Sequence, residues 1–416
     1  MVNRRAFIFR TTGLVVTGLM AGCSQAAATT LNVKVLQGSI PAEVLQSFKK
    51  QSGTPVSFQL VGQVRSLFQQ LQRWQKPALE DSSWGRFLPW TQTEEKPTTD
   101  DLVSLGDYWL ESAIQQDLIA PLELPEATLS KLPLPWQQFV RRDGKGQIET
   151  NAPSQTEPSQ PLEDEVPDDP DSQSPRTASK NALWAAPYKV QTLVIVYRQS
   201  FFPQSSAENP PFKSWSDLLQ PNLRQQIALP NHPRLIIGLL QKLQGGSFNL
   251  PIEIAASLAR MKQQLAEPFA ELNDQVKTYD STNSLKALIN RDVKAVVAWS
   301  GEAISALRRY QDLRIVVPEE GSLLSADLWV RPKGAAMTEA MQQWIDFCWQ
   351  DGPATQISVS GQGVSPVFLL PGSEIPEALA QSKLPLTTIQ NSEPLLPIPA
   401  ELQETYSALW QQLRAG

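Results

Sequence analysis

Hydrophobic and polar positions follow two different periods along the chain, and the two periods succeed each other in pairs. From Leu31, LNVKVLQG alternates like a strand, and PAEVLQSFKKQSG then has the apolar spacing of a helix that stops at Gly53. VSFQLVG and SLFQQLQRWQ repeat this order. Such a strand–helix–strand–helix order predicts an α/β lobe built on a largely parallel sheet.

A second α/β unit is predicted further along the chain. Its strand and helix patterns are, in order, TLVIVYR, QQIALPN, LIIGLLQKLQGG, AVVAW, LRIVVPEEG and SADLWVRPKG. Helical patterns around MQQWIDFCW and ELQETYSALWQQLRAG end the chain. At 416 residues, the chain is too long for one ordinary core and fits two domains.

Two stretches interrupt this order. Residues 80–100 combine turn residues with Trp84, Phe87 and Trp90, which predicts either a loop that packs its own rings or a contact patch for a partner or membrane. Residues 149–175, within an insert over 141–182, carry eight acidic residues, six prolines and no basic residue. That composition predicts disorder.

The first residues have the pattern of an export signal. Basic residues precede the apolar run Thr12–Met20, and small residues follow it. Asn3–Ile8 resembles a twin-arginine export signal, and Met20-Ala21-Gly22-Cys23 resembles a lipobox, which predicts a lipid anchor on Cys23. The alternative is cleavage near residues 26–28, which would leave Cys23 unmodified.

Composition excludes several classes of function. The net charge of −6 reflects the acidic insert, and the remaining body is near neutral, without the basic footprint of nucleic-acid binding. One histidine and two cysteines leave little material for a zinc site or a disulfide framework. Cys348, in an apolar helical segment, is predicted to be a buried structural thiol.

Candidate site residues stand where strand patterns end. Trp299 closes the strand AVVAW, Asp107 and Tyr108 follow DLVSLG, and Asp327 follows the turn after IVVPEEG. Ligands of open α/β sheets bind at the carboxyl ends of strands, and a ring face with a carboxylate suits an ammonium group. The alternative is that these rings merely cover strand ends.

Five segments together carry a resemblance to a known family. They are DLVSLGDYWLESAIQQDLIAPLE, APYKVQTLVIVYR, SWSDLLQPNLRQQIALP, AVVAWSGEA and IVVPEEGSLLSADLWVRPKGA. In this order they resemble the extracytoplasmic solute-binding proteins of ABC importers, especially the spermidine/putrescine-binding branch. The resemblance implies an α/β, two-lobed periplasmic-binding-protein-like fold (type II) with the ligand cleft between the lobes.

The sequence patterns and the resemblance together give expected boundaries for each part of the chain. The expected parts are an export signal over 1–22, a tether over 23–30, lobe 1 over 31–140, the insert over 141–182, lobe 2 over 183–310, a return to lobe 1 over 311–365, and C-terminal helices over 366–416 that pack on lobe 2.

The resemblance implies some ligand contacts, but at other positions this sequence replaces the family's contact residues. Trp299, Asp327 and Tyr108 match the family's aromatic and carboxylate contacts with an amine, and Asp107 is a neighbouring candidate. The departures are Ser39 and Ser325 in place of aromatic residues, His232 and Leu235 in the segment of the distal acidic residues, and Val364 in place of a tyrosine. Either the ligand differs from an extended polyamine, or Asp107, Asp280 or Glu302 compensates.

The leading hypothesis is a monomeric, membrane-tethered lipoprotein of the periplasm. It would deliver a small cationic amine, such as putrescine or spermidine, to an ABC permease and ATPase, and it needs no cofactor. The alternatives are an exported enzyme that uses the cleft carboxylates, for which only Asp327 has a motif, and an interaction protein without a ligand. His232, between Asn231 and Pro233, is predicted to be a solvent-facing turn residue.

Overall fold

A computed structural model describes residues 30–75, 100–148, 181–206, 208–249, 257–360, 363–380, 389, 391–396 and 400–415. The predicted export signal, Cys23, the loop over 80–99 and the acidic stretch of 149–175 lie outside these residues. Within them, no helix is both long and apolar enough to cross a membrane.

The strands are β1 Leu31–Leu36, β2 Val56–Val61, β3 Leu102–Gly106, β4 Ile119–Ala120, β5 Arg141–Arg142, β6 Ala182–Leu183, β7 Ala186–Arg198, β8 Ile227–Leu229, β9 Val276–Tyr279, β10 Ala295–Trp299, β11 Leu313–Val316, β12 Leu323–Pro332 and β13 Glu393–Pro394.

The helices are α1 Ala42–Ser52, α2 Val64–Gln75, α3 Leu110–Gln115, α4 Glu126–Leu129, α5 Leu134–Val140, α6 Pro233–Leu243, α7 Leu258–Gln275, α8 Ser284–Ile289, α9 Ser300–Leu307, α10 Glu339–Cys348, α11 Asp351–Ser360, α12 Glu377–Ala380 and α13 Ala400–Ala415. Short 3-10 helices cover Asp107–Trp109, Gln199–Phe201, Trp215–Leu219, Pro221–Leu223 and Pro366–Leu369.

One long strand, β7, joins the two lobes. Its first half, Ala186–Thr192, pairs antiparallel with β12, which in turn pairs with β3. Its second half, Leu193–Arg198, pairs antiparallel with β10 and β11. The strand order β2-β1-β3-β12-β7-β10-β8-β9 therefore runs from lobe 1 into lobe 2.

Lobe 1 has the parallel arrangement that the sequence predicts. β1 pairs in parallel with β2 and β3, and its inward residues Leu31, Val33 and Val35 are buried. α1 ends at Gly53 in the left-handed region (φ 68°), where the Gly53 N–H donates to Lys49 O, as expected for a glycine stop.

In lobe 2, alternate residues of the sheet face two different cores. Leu193, Ile195 and Tyr197 of β7 face a core formed with α6, α7 and α13, whereas Val194 and Val196 face the other side. Successive side chains of a strand point to opposite faces, so both faces of this sheet are apolar and covered.

The structure differs from the expected boundaries in three places. β5 and β6 pair at the two ends of the expected insert, so residues 141–142 and 182 belong to a strand pair. β11 still pairs with the lobe 2 half of β7, so the chain returns to lobe 1 at β12, later than the expected residue 311. Val367, Phe368 and Leu369 lie in a buried cluster that includes residues of β1, β3 and β12 and also Val194 and Val196 of β7, whereas α13 packs on α6 and α7 of lobe 2.

Candidate functional site

A cavity of about 150 Å³ lies between the lobes, at the carboxyl end of β3. Its lobe 1 wall is formed by Asp107, Tyr108, Glu111, Phe139 and Arg142. Its other wall comes from the start of α6 and from the C-terminal segment, and it is formed by His232, Pro233, Arg234, Leu395, Leu396, Gln403, Tyr406 and Ser407. A ligand in this cavity would contact both lobes.

The predicted site residue Asp107 lies in this cavity wall and is fully engaged with its own lobe. Its Oδ1 accepts hydrogen bonds from Tyr108 N (2.8 Å) and Ser325 Oγ (2.8 Å), and its Oδ2 accepts one from Ala326 N (2.9 Å). Burial nevertheless raises the pKa of Asp107 to about 6, because desolvation outweighs these three donors. Ser325, which replaces an aromatic residue of the resembled branch, thus positions a carboxylate.

We expect Asp107 to make the protein less stable as the pH rises from about 4 to 6. The folded-state pKa lies above the unfolded value, so the folded state binds the proton more tightly, and ionisation above pH 6 costs about 3 kcal/mol of unfolding free energy. Asp327, which raises this pKa, and Arg142 are the charged groups that act on Asp107.

The measurement is urea denaturation between pH 4 and 7. The stability difference between wild type and Asp107→Asn should change with pH by roughly this amount, whereas the exposed Asp117→Asn serves as the matched control. An Asp107→Asn variant with the wild-type pH dependence would contradict the assignment.

The predicted site residues Asp327 and Ser39 meet at a buried lysine that the sequence reasoning missed. Lys189 Nζ lies 2.8 Å from Asp327 Oδ2 and donates a hydrogen bond to Ser39 Oγ at 3.2 Å. Lys189 is 4 % exposed and Asp327 is 9 % exposed. The carboxylate that matches the family's amine contact therefore already has an ammonium partner from its own chain.

Asp327 keeps some capacity to accept a hydrogen bond. Lys189 reaches Asp327 Oδ2 as an ion pair, and among the described residues no donor forms an aligned hydrogen bond with that oxygen. The register explains the pairing, because Asp327 of β12 lies directly opposite Lys189 of β7.

The two predicted aromatic residues occupy different places. Tyr108 is 53 % exposed at the mouth of the cavity, and its ring centroid lies 6.3 Å from that of His232 across the lobe boundary. Trp299 ends β10 as predicted, but it is half-buried against the lobe 2 core and does not line this cavity. After it, Ser300 Oγ accepts a hydrogen bond from Thr192 N of β7.

The prediction that His232 faces solvent is wrong. His232 is partly buried in the cavity wall, and its Nδ1 is buried without a hydrogen-bond partner among the described residues. Burial and the neighbouring Arg234 lower the pKa of His232. The turn Asn231-His232-Pro233 lies at the boundary between the lobes. Residues adjacent in the sequence do not indicate such a boundary, so the burial of His232 could not be predicted from them.

Two buried arginines also line the cavity, and neither was predicted from the sequence to be a site residue. Arg142 donates from Nε to Phe139 O (2.6 Å) and from Nη1 to Gly146 O (2.9 Å). Arg234 donates to Leu396 O (2.9 Å), Asn249 Oδ1 (3.1 Å) and Tyr406 Oη (3.4 Å). Arg142 ends β5, Arg234 is the second residue of α6, and Lys189 lies within β7, so the three share no sequence signal that separates them from exposed basic residues.

The other departures from the resembled branch have structural roles. Leu235 is a core residue of lobe 2, and Val364 is buried and exchanges backbone hydrogen bonds of 2.7 and 2.8 Å with Val190. Asp280 is half-buried, and its Oδ1 accepts hydrogen bonds from Thr282 N and Asn283 N, while Glu302 is exposed in the first turn of α9.

Among the described residues, no group of three or more His, Cys, Asp or Glu is placed to hold a metal ion. Cys348 is buried, and burial raises the pKa of its thiol, which confirms its prediction as a structural residue.

The fold matches solved solute-binding proteins over nearly its whole length. A spermidine/putrescine ABC transporter substrate-binding protein from Streptococcus pneumoniae matches with a TM-score of 0.66 and 19 % identity, over 93 % of this chain and 98 % of that chain. A lipoprotein of Treponema pallidum matches with a TM-score of 0.58 and 13 % identity, over 93 % and 100 %. A Trichodesmium protein solved with iron and citrate matches with a TM-score of 0.53 and 12 % identity, over 93 % and 99 %.

These likenesses confirm the two-lobed fold. No curated protein matches the sequence. The family model for the bacterial extracellular solute-binding protein matches residues 97–387. Because that match covers well over half of the chain, this protein belongs to the bacterial extracellular solute-binding protein family.

Proposed function

We propose that this protein is a lipoprotein, exported by the twin-arginine route and anchored through Cys23. We also propose that it captures a small polar ligand between its lobes for the permease. The observation that supports ligand capture is a cavity with charged side chains on both walls. Asp107, Glu111 and Arg142 lie on one wall, and Arg234 lies on the other. A ligand that contacts both walls stabilises the closed arrangement, which is how a binding protein signals occupancy to a permease.

A small amine is the finer candidate that the sequence favours. Tyr108 offers an exposed ring, Asp107 and Asp327 offer carboxylates, and the Streptococcus pneumoniae protein is named for spermidine and putrescine. Against an amine, Lys189 already neutralises Asp327, and Asp107 is engaged by three donors of its own chain. An amine would therefore bind beside Lys189 or displace it.

Calorimetric titration with putrescine, spermidine, a sugar and an organic anion tests ligand capture, together with native mass spectrometry of the purified protein. If an amine binds beside Asp327, Asp327→Asn should weaken its binding because the charged partner is lost, whereas Trp299→Phe should leave binding unchanged because that ring does not line the cavity. A protein that binds none of these molecules and purifies empty would contradict capture.

Cys23→Ser is expected to move the protein from the membrane fraction to the soluble extracytoplasmic fraction. The several acyl chains of a bacterial lipoprotein anchor it firmly, and the variant lacks the sulfur that carries them. Fractionation followed by immunoblotting measures the shift, with Cys348→Ser as the matched control because its thiol is buried in the folded protein. A wild-type protein that is already soluble after export would contradict the anchor.

A further inference from the structure

We infer that the ligand of this cleft carries an anionic group, a carboxylate or a phosphate, that binds Arg234 of lobe 2 and faces Arg142 of lobe 1. This inference rests on the proposed capture of a ligand between the lobes and names the chemical class of that ligand.

Arg234 is a buried positive charge whose direct contacts are all neutral. Its side chain is 7 % exposed, and its hydrogen-bond acceptors, Leu396 O, Asn249 Oδ1 and Tyr406 Oη, are all neutral. Within the described residues, no carboxylate lies within ion-pair distance of this guanidinium. A buried positive charge without a negative partner is costly, and an anionic ligand would remove that cost.

A second buried arginine, Arg142, lies on the opposite wall of the cavity. Arg142 is 1 % exposed, is held by two backbone carbonyls, and has no ion-pair partner among the described residues. Burial lowers the pKa of Arg142 to about 10, so the guanidinium stays charged at neutral pH. The carboxylates of Glu111, Asp107 and Asp143 act on Arg142, so an anion that faces Arg142 would have Arg234 as its principal partner.

The carboxylates of the cavity do not offset these charges fully. Glu111 Oε1 accepts hydrogen bonds from the neutral amides of Gln115 and Gln147, and burial raises the pKa of Glu111. Asp107 is likewise bound by neutral donors. Both lie on the lobe 1 side, where they act on Arg142, so Arg234 keeps an uncompensated charge.

The start of α6 adds a further polar group at the same wall. Arg234 is the second residue of this 11-residue helix, whose N-terminal cap, His232, makes no side-chain capping hydrogen bond. His232 Nδ1 is buried and lacks a partner among the described residues, and His232 lines the same cavity. An anion at Arg234 would also lie near the positive end of the helix dipole.

The test is titration of the mature, full-length protein with succinate, citrate, glutamate, inorganic phosphate and glycerol phosphate, and with putrescine, spermidine and glucose. We expect at least one anion to bind, and the carboxylate and phosphate arms identify which group it carries. Arg234→Gln should weaken that binding by about thirtyfold or more. Arg224→Gln, which changes an arginine exposed on lobe 2, is the matched control and should leave binding unchanged.

Because Arg234 is buried and Arg234→Gln could lower stability, a surface pair provides a second test. Gln403 lines the cavity from α13 and is exposed, so charge can be changed there without repacking a core. Gln403→Glu should weaken anion binding by about three- to fivefold and Gln403→Lys should strengthen it by a similar factor, at unchanged melting temperature.

Three results would overturn the inference. One is binding of putrescine, spermidine or glucose with no anion bound, which would leave capture between the lobes intact. Another is anion binding that a folded Arg234→Gln variant keeps, or that Gln403→Glu strengthens. Failure of every compound in the panel to bind would remove both this inference and the proposed ligand capture.

Discussion

Lys189→Met is expected to lower the free energy of unfolding by about 3 to 5 kcal/mol at pH 7. Methionine keeps the length of the lysine stem, which Gly363 packs against so closely that a Cβ there would lie 2.6 Å from Lys189 Cγ. The substitution therefore removes the ammonium and leaves the buried carboxylate of Asp327 without its ion-pair partner. An uncompensated buried charge is the main source of the expected loss.

The measurement is urea denaturation of Lys189→Met, Asp327→Asn and the double variant. The double variant should be more stable than Lys189→Met alone, because it removes the unpaired charge as well. Lys333→Met is the matched control, since Lys333 pairs with Asp117 at 2.8 Å on the surface, and it should cost about 1 kcal/mol or less. Equal losses in Lys189→Met and Lys333→Met would contradict the role of the buried pair.

Trp410→Ala is expected to destabilise lobe 2 by about 3 to 5 kcal/mol. The indole is 6 % exposed and packs edge-on against Tyr279 and Phe269, at centroid distances of 5.0 and 5.9 Å. Its Nε1 donates a hydrogen bond to Asn231 Oδ1 at 3.2 Å, next to the cavity residue His232. Loss of the ring leaves a void between α13 and the lobe 2 core.

Trp410→Ala should also weaken ligand binding, because Tyr406, one turn earlier on α13, lines the cavity and accepts a hydrogen bond from Arg234. Calorimetric melting and ligand titration of the same preparation measure both effects. Leu134→Ala is the control, because Leu134 is 68 % exposed and its loss should change stability by about 0.5 kcal/mol or less. A Trp410→Ala protein with wild-type stability would contradict the packing of α13 on lobe 2.

The alternation of apolar positions was enough to predict the α/β class and most individual elements. The period of two in LNVKVL and TLVIVYR placed β1 and the second half of β7, and the glycine stop placed the end of α1. These features depend on residues close in the sequence, and their physical cause, burial of one face or a left-handed backbone, acts locally. The strand ends at Asp107, Tyr108 and Trp299 follow from the same patterns.

The charge arrangement of the cleft was decided by the tertiary structure. A lysine inside APYKV gives no sign of its partner, because Lys189 and Asp327 are far apart in the sequence and meet only through the register of β7 against β12. Arg142, Arg234 and Tyr406 converge from three distant segments. Patterns of neighbouring residues determined the elements and the strand ends, whereas the pairing of buried charges across elements, on which ligand class depends, required the assembled lobes.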